Sequence, residues 1–157
     1  MGHSKEHLKE WWEPILQMRL EDPQQEPPFW VGTNNVVPNT PFPGLKIKAL
    51  AIVGTPDAGV FLSGTRRANV FAIQKDLKRE RSSLLKELPK GTEIRTGHHW
   101  PIMLYRDDLE SDREKQEWII KTLNQFVNVL RPSLRKWYEL STQTTDTVTD
   151  YNATKSR

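Results

Sequence analysis

The sequence predicts an α+β domain, in which an antiparallel sheet of short strands and hairpins packs against about three helices, with a proline-rich loop and a disordered C-terminal tail. Three observations predict it. LKIKALAIV at 45–53 is the clearest strand, and the turn residues GTPDAG lead from it into Val60-Phe61-Leu62, a hairpin pattern with a longer loop. IMLYRDDLESDREKQEWIIKTLNQFVNVLRPSLRKW at 102–137 joins a short apolar strand to an acidic helix start and a long amphipathic helix. Residues 23–43 hold six of the chain's eleven prolines, which excludes a helix or a central strand there.

Taken in order, the first helix is expected from Ser4 to about residue 20, with Ser4 as its N-cap and Leu8, Trp11, Ile15 and Met18 recurring every three to four residues. Pro14 interrupts that pattern and predicts a kink or restart near Glu13. Within 23–43, Phe29-Trp30-Val31 has the apolar character of a short edge strand or an anchor on the core. The stretch 65–88 reads as one helix, with Val70, Ile73, Leu77, Leu84 and Leu88 on one face and Pro89-Lys90-Gly91 as its stop. A second strand pair is expected from 93–95 and 100–105, around Thr96-Gly97-His98. The last helix opens near Asp112, where acidic residues complement the helix dipole, and Pro132 is expected to kink or divide it. The Thr- and Asp-rich residues 141–157 lack apolar periodicity and read as a disordered tail behind a single domain at 1–140.

A chain of 157 residues buries roughly two thirds of its unfolded surface around one core, and six Trp with five Phe supply large burial areas for it. The absence of cysteine excludes disulfides, thiolate metal sites and a cysteine nucleophile. No apolar run approaches the roughly 18 residues a membrane span needs, so the expectation is a soluble, cytoplasmic protein without a membrane partner. Net charge is only +3, from 23 basic and 20 acidic residues. The charge is unevenly spread, because 66–90 carries eight basic residues against three acidic ones.

Candidate sites follow from these patterns. On the basic helix, Arg67, Lys75, Lys78, Arg79 and Lys86 form a candidate phosphate-contacting face for DNA or RNA, although a solvated face with ordinary ion pairs gives the same pattern. Among the aromatics, Trp12, Phe29 and Trp30 are the candidates for a protein interface or a homodimer contact. The acidic run Asp107, Asp108, Glu110, Asp112 and Glu114 resembles a cation site but is explained by the dipole of the helix it opens. Asp57 with Glu93-Ile94-Arg95 approximates a restriction-type nuclease core, with Arg95 where the catalytic lysine belongs, and arginine cannot act as a base at neutral pH. His98 and His99, like His3 and His7, read as loop or surface histidines. No catalytic residue, metal ligand or cofactor motif is assigned.

Four consecutive features, QKDLKRERSSLLKEL, IMLYR, DDLESDREKQEW and LNQFVNVLRPSLRKW, resemble an uncharacterised family of prokaryotic domains of unknown function. The resemblance extends over residues 8–138, with Trp11-Trp12 and Phe29-Trp30 matching an aromatic-led helix and a Trp-led strand, and is strongest at 104–132. It implies an association with defence or DNA repair, since such domains often follow a restriction-endonuclease-like domain, and it implies no catalytic residues. The leading expectation is a non-enzymatic interaction module that binds a protein partner or itself. A nucleic-acid-associated accessory protein using the helix at 66–90 is the alternative, and a degenerate metal-dependent nuclease a second one.

Overall fold

The computed structural model describes residues 4–32 and 34–155, with side chains as far as Gln143. Its elements in chain order are α1 (Lys5–Leu16), β1 (Phe29–Trp30), β2 (Asn35–Val37), β3 (Leu45–Ala51), β4 (Ala58–Gly64), α2 (Arg67–Ala72), α3 (Gln74–Glu87), β5 (Glu93–Ile94), β6 (Ile102–Arg106) and α4 (Asp112–Lys155). The six strands form one sheet in the order β1-β2-β3-β4-β6-β5, and every neighbouring pair is antiparallel. The fold is therefore α+β. After β4 the chain leaves the sheet through α2 and α3, re-enters at the far edge as β5, and turns back as β6 into the space beside β4.

The β3–β4 ladder runs in unbroken register from Leu45↔Gly64 to Ala51↔Ala58, so the period of two assigns each residue to a face. Leu45, Ile47, Ala49 and Ala51 of β3, with Ala58, Val60 and Leu62 of β4, point inward, as do Ile94 and Ile102. Onto this face α4 lays Ile119, Leu123, Phe126, Val127, Leu130, Leu134 and Trp137, all essentially free of solvent. Beside it α1 contributes Trp11, Trp12 and Ile15, and the α3 side contributes Ile73, Leu77, Leu84 and Leu88, to the same cluster. Each such large side chain adds about 1.5–3 kcal/mol by leaving water.

Ser4 caps α1 as expected, its Oγ accepting the His7 amide at 3.1 Å. The helix ends at Leu16, earlier than expected, and passes through Pro14 without a restart. Pro14 lies on the exposed side of the last turn, where the carbonyl freed by the missing amide can face water. Pro132 is likewise exposed, and α4 continues past it. The single helix expected at 65–88 is two, because Ile73 adopts φ −104° and ψ 4° and serves both as the C-cap of α2 and the N-cap of α3. The break falls between Val70, which closes on Gly64, and Leu77 and Leu84, which reach the core together with Ile73. The proline-rich segment supplies two strands where at most one edge strand was expected, and β2 lies inside the sheet, its three residues fitted between Pro28 and Pro38. Beyond Trp137 the chain leaves the core: 138–143 are exposed, and the side chains from 144 onward, in the segment expected as a tail, lie outside the described residues.

Polar contacts fasten the outlying segments to α4. Arg131 binds Asp22 at 2.8 Å, the Gln25 side chain at 2.7 Å and the Gln24 carbonyl at 3.1 Å, which anchors the start of the proline-rich segment. On α3, Glu80 accepts from the buried Trp137 indole, from Lys136 at 3.0 Å and from Arg79 at 3.2 Å. Burial pushes the Glu80 carboxyl up, but the hydrogen bonds from Trp137, Lys136 and Arg79 outweigh it and hold the group below its ordinary value. A carboxyl lowered in the folded state contributes stability above its unfolded value, near about 4.3, and loses that contribution as pH falls through the folded one. Urea melts over a pH series are therefore expected to show an acid decline that Glu80→Gln flattens, with a loss of about 1 kcal/mol at neutral pH.

Candidate functional site

The helices cover one face of the sheet, and the opposite face is built from the alternate residues of the same strands. Register places Lys46, Lys48 and Leu50 of β3, Gly59, Phe61 and Ser63 of β4, and Met103 and Tyr105 of β6 on that face. None belongs to the helix-packed core cluster. Phe61 is nonetheless buried, because Trp100 from the β5–β6 loop lies on it with ring centroids 4.8 Å apart. Lys46 sits over the Phe29 ring at 5.7 Å, and Tyr105, 51% exposed, extends the aromatic row along β6.

Charges on this face are mixed. Asp57 accepts the Tyr105 hydroxyl at 2.6 Å, Glu93 pairs with Arg95 at 2.5 Å, and Asp107 stands exposed near Tyr105. The hydrogen bond to Asp57 pushes the Tyr105 hydroxyl up from its ordinary value. Lys46 and Lys48 have no carboxylate partner among the described residues. The surface thus offers the Trp100 indole, backed by Phe61, beside two ammonium groups on the strand adjacent to β4.

At the end of β4 this face meets a cavity of about 430 Å³ between the start of α2 and the β5–β6 loop, lined by Thr65, Arg66, Arg67, Phe71, His98 and His99 among others. Two glycines let α2 come close to the end of β4. A Cβ on Gly64 would stand 2.8 Å from Val70 Cγ2, and one on Gly44, which has φ +85°, would meet the Asn69 amide at 2.4 Å. The closeness they allow lets the Thr65 amide and hydroxyl both donate to the Gly44 carbonyl at 2.8 Å and lets the Asn69 side chain accept the Arg66 amide at 2.9 Å.

The residues singled out from sequence fall in different places. Lys75, Lys78 and Lys86 are exposed on the solvent side of α3, while Arg79 is engaged by Asp76 at 2.6 Å and by Glu80, so the basic helix is partly neutralised. Arg67 is separated from them on α2 and lines the cavity. Trp12 is not at a surface: with Leu8 and Ile15 it lies on the inner face of α1, wholly buried and edge-on to Trp11 at 5.0 Å. Trp30 is half-buried against the core, and of the three interface candidates only Phe29, 40% exposed, presents a large open surface.

Asp57 and Glu93 do not converge. Their positions in the β4–β6–β5 register differ by about four residues along and two strands across, which is roughly 16 Å. Asp108 is held by Arg106, whose Nε and Nη2 each stand 2.8 Å from a carboxylate oxygen, and this pair keeps Asp108 below the usual carboxylate range. Ser111, not an acidic residue, accepts the Glu114 amide at the start of α4. Among the described residues, no group of three or more His, Cys, Asp or Glu side chains is placed to hold a metal ion, and His3 lies outside them. No described helix is long and apolar enough to cross a membrane.

Sequence reasoning missed Phe61, Tyr105 and Trp100 as neighbours on one surface, which strand register and the β5–β6 loop bring together, and it missed Arg66 as a lining residue of the separate cavity. It also missed Lys115, which is 1% exposed on α4, lies over Trp11 at 5.5 Å and donates to the carbonyls of Ile52, at 2.9 Å, and Thr55. Burial pulls its ammonium below the ordinary value, against the opposing charges of Asp112 and Asp57. Such a perturbed lysine is a marker of functional sites, but here both recorded acceptors belong to the β3–β4 turn, and its evident role is to fasten that turn to α4. Its single signal in the sequence is a position in step with Trp118, Ile119 and Leu123 on an apolar face.

Gly64→Ala is expected to destabilise the domain by about 1–3 kcal/mol, because Val70 and with it α2 must move, and to alter the cavity between Arg66 and His99. Denaturant unfolding and amide chemical shifts at 65–72 and 97–100 check both effects. Compared with protein-family models, with characterised proteins and with solved structures, the chain shows no significant match to any of them.

Proposed function

We propose that this domain is a non-enzymatic binding module whose working surface is the helix-free face of the sheet and whose partner is single-stranded nucleic acid. The observation that carries the reading is the Trp100 indole, seated on the buried Phe61 on the helix-free sheet face beside Lys46 and Lys48. An unpaired base presents a flat ring that stacks on such a platform, and its backbone presents phosphates at the distance of a neighbouring strand, where ammonium groups stand. A duplex hides its bases and gains only the charge term.

The protein-partner reading keeps Phe29 but loses Trp12 to the core. The nucleic-acid alternative read from the sequence used the helix at 66–90, and the present reading moves it to the sheet face.

Fluorescence anisotropy with labelled single strands and duplexes across a salt series tests the proposal. Single strands are expected to bind more tightly than duplexes, with an affinity that falls by about 0.7 log units per log unit of salt for each phosphate contacted. Trp100→Ala and Lys48→Glu are each expected to weaken binding by about tenfold, and Lys78→Glu on α3 to change it little. Failure to bind any single strand at low salt, with the fold intact by circular dichroism, would remove the reading.

A further inference from the structure

We infer that the cavity at the end of β4 is a binding site for a phosphate monoester carried on a nucleoside, either the 5′-phosphate that ends a nucleic-acid strand or a free mononucleotide. The strand-end source rests on the strand-binding reading above; the site chemistry does not. Three features point to this ligand class.

The first is unspent positive charge. Arg79, Arg95, Arg106, Arg113 and Arg131 each pair with a carboxylate, whereas Arg66 and Arg67 have no ion-pair partner among the described residues, and no carboxylate lines the cavity they share. Two adjacent guanidinium groups offer planar forks of donors that fit the oxygens of a phosphate.

The second is a further donor of fixed kind. The Trp100 amide donates to Nδ1 of His98 at 3.1 Å, so a neutral His98 carries its proton on Nε2, where it can donate. The loop that brings His98 and His99 to the cavity turns at Gly97, which has φ +79°. His99 follows Gly97 and His98 along the same wall, and its ring lies 6.0 Å from Trp100, so the cavity opens onto the rim of the aromatic face.

The third is an aromatic wall. Phe71, 56% exposed on α2, has no aromatic partner among the described residues and borders the same space. A ring of this kind adds nothing for an inorganic anion but offers a stacking surface to a nucleobase. At about 430 Å³ the cavity lies in the range of small-molecule sites and leaves room for a base and sugar beside the phosphate.

Isothermal titration of the full chain with a short oligothymidylate bearing either a 5′-phosphate or a 5′-hydroxyl, and with adenosine 5′-monophosphate or inorganic phosphate alone, tests the site. The phosphorylated strand is expected to bind about tenfold more tightly than the hydroxyl strand. In Arg66→Ala/Arg67→Ala that difference should vanish, while binding of the hydroxyl strand stays within about twofold of wild type. Both arginines are exposed, and circular dichroism confirms that the variant folds. If the two strands bind alike and the mononucleotide does not bind, the cavity proposal is overturned and the sheet-face reading stands. If no strand binds but the mononucleotide does, with loss in the arginine variant, the site stands as a mononucleotide site and the strand reading falls. Inorganic phosphate binding as well as the mononucleotide would overturn the role given to Phe71, tested independently with Phe71→Ala.

Discussion

The contact on which the rest of this structure depends is the lay of α4 across β3 and β4. Its apolar side chains from Ile119 to Trp137 meet the inward residues of the two longest strands, and both α1 and α3 gain their positions by packing beside it. One long helix supplies the central ridge of one layer. With a single helical layer, burying one side of the sheet leaves the other side without helical cover, and the division between scaffold and accessible surface follows from that geometry.

The uncovered side is not simply polar. β4 is buried at six consecutive positions, a pattern common in strands enclosed on both sides, yet only one side of it meets helices. The β5–β6 loop supplies the difference by laying one indole on Phe61. A loop that covers the sheet by a single side chain is attached less firmly than a helix with a whole apolar stripe. Trp100 can therefore shift while the helical layer stays unchanged.

Much of the fold was legible in the residues because it is written at short range. The apolar run LKIKALAIV ahead of the turn residues GTPDAG placed β3, Ser4 announced the first helix, and the acidic opening followed by Trp118, Ile119, Leu123 and Phe126 announced the last. What escaped was set by packing at a distance. RANVFAIQKDL contains no helix breaker, and its division at Ile73 leaves no mark in the local sequence. β2 is too short to show a period, and its pairing with β3 is decided in three dimensions. Trp12 looked as available as Trp30 because an apolar face three residues wide in seven has soft borders, and α4 settled on which side it fell. The same reason hid the candidate site: the basic excess at 66–90 was visible, but its division into a neutralised α3 and an unspent Arg66–Arg67 pair depends on ion pairs and on a loop that arrives from beyond β5.

The two borders of the sheet are its shortest strands. β1 and β5 are each two residues long, β1 directly behind Pro27-Pro28 and β5 shortly after Pro89-Lys90-Gly91. A visiting chain that tried to extend the ladder would find room for one or two hydrogen bonds before meeting a residue without an amide or a change of direction. Lateral growth of the sheet from copy to copy, the usual route by which exposed ladders seed fibres, is thus closed at both ends, and the domain can leave an aromatic surface open to its surroundings without offering its backbone as a template.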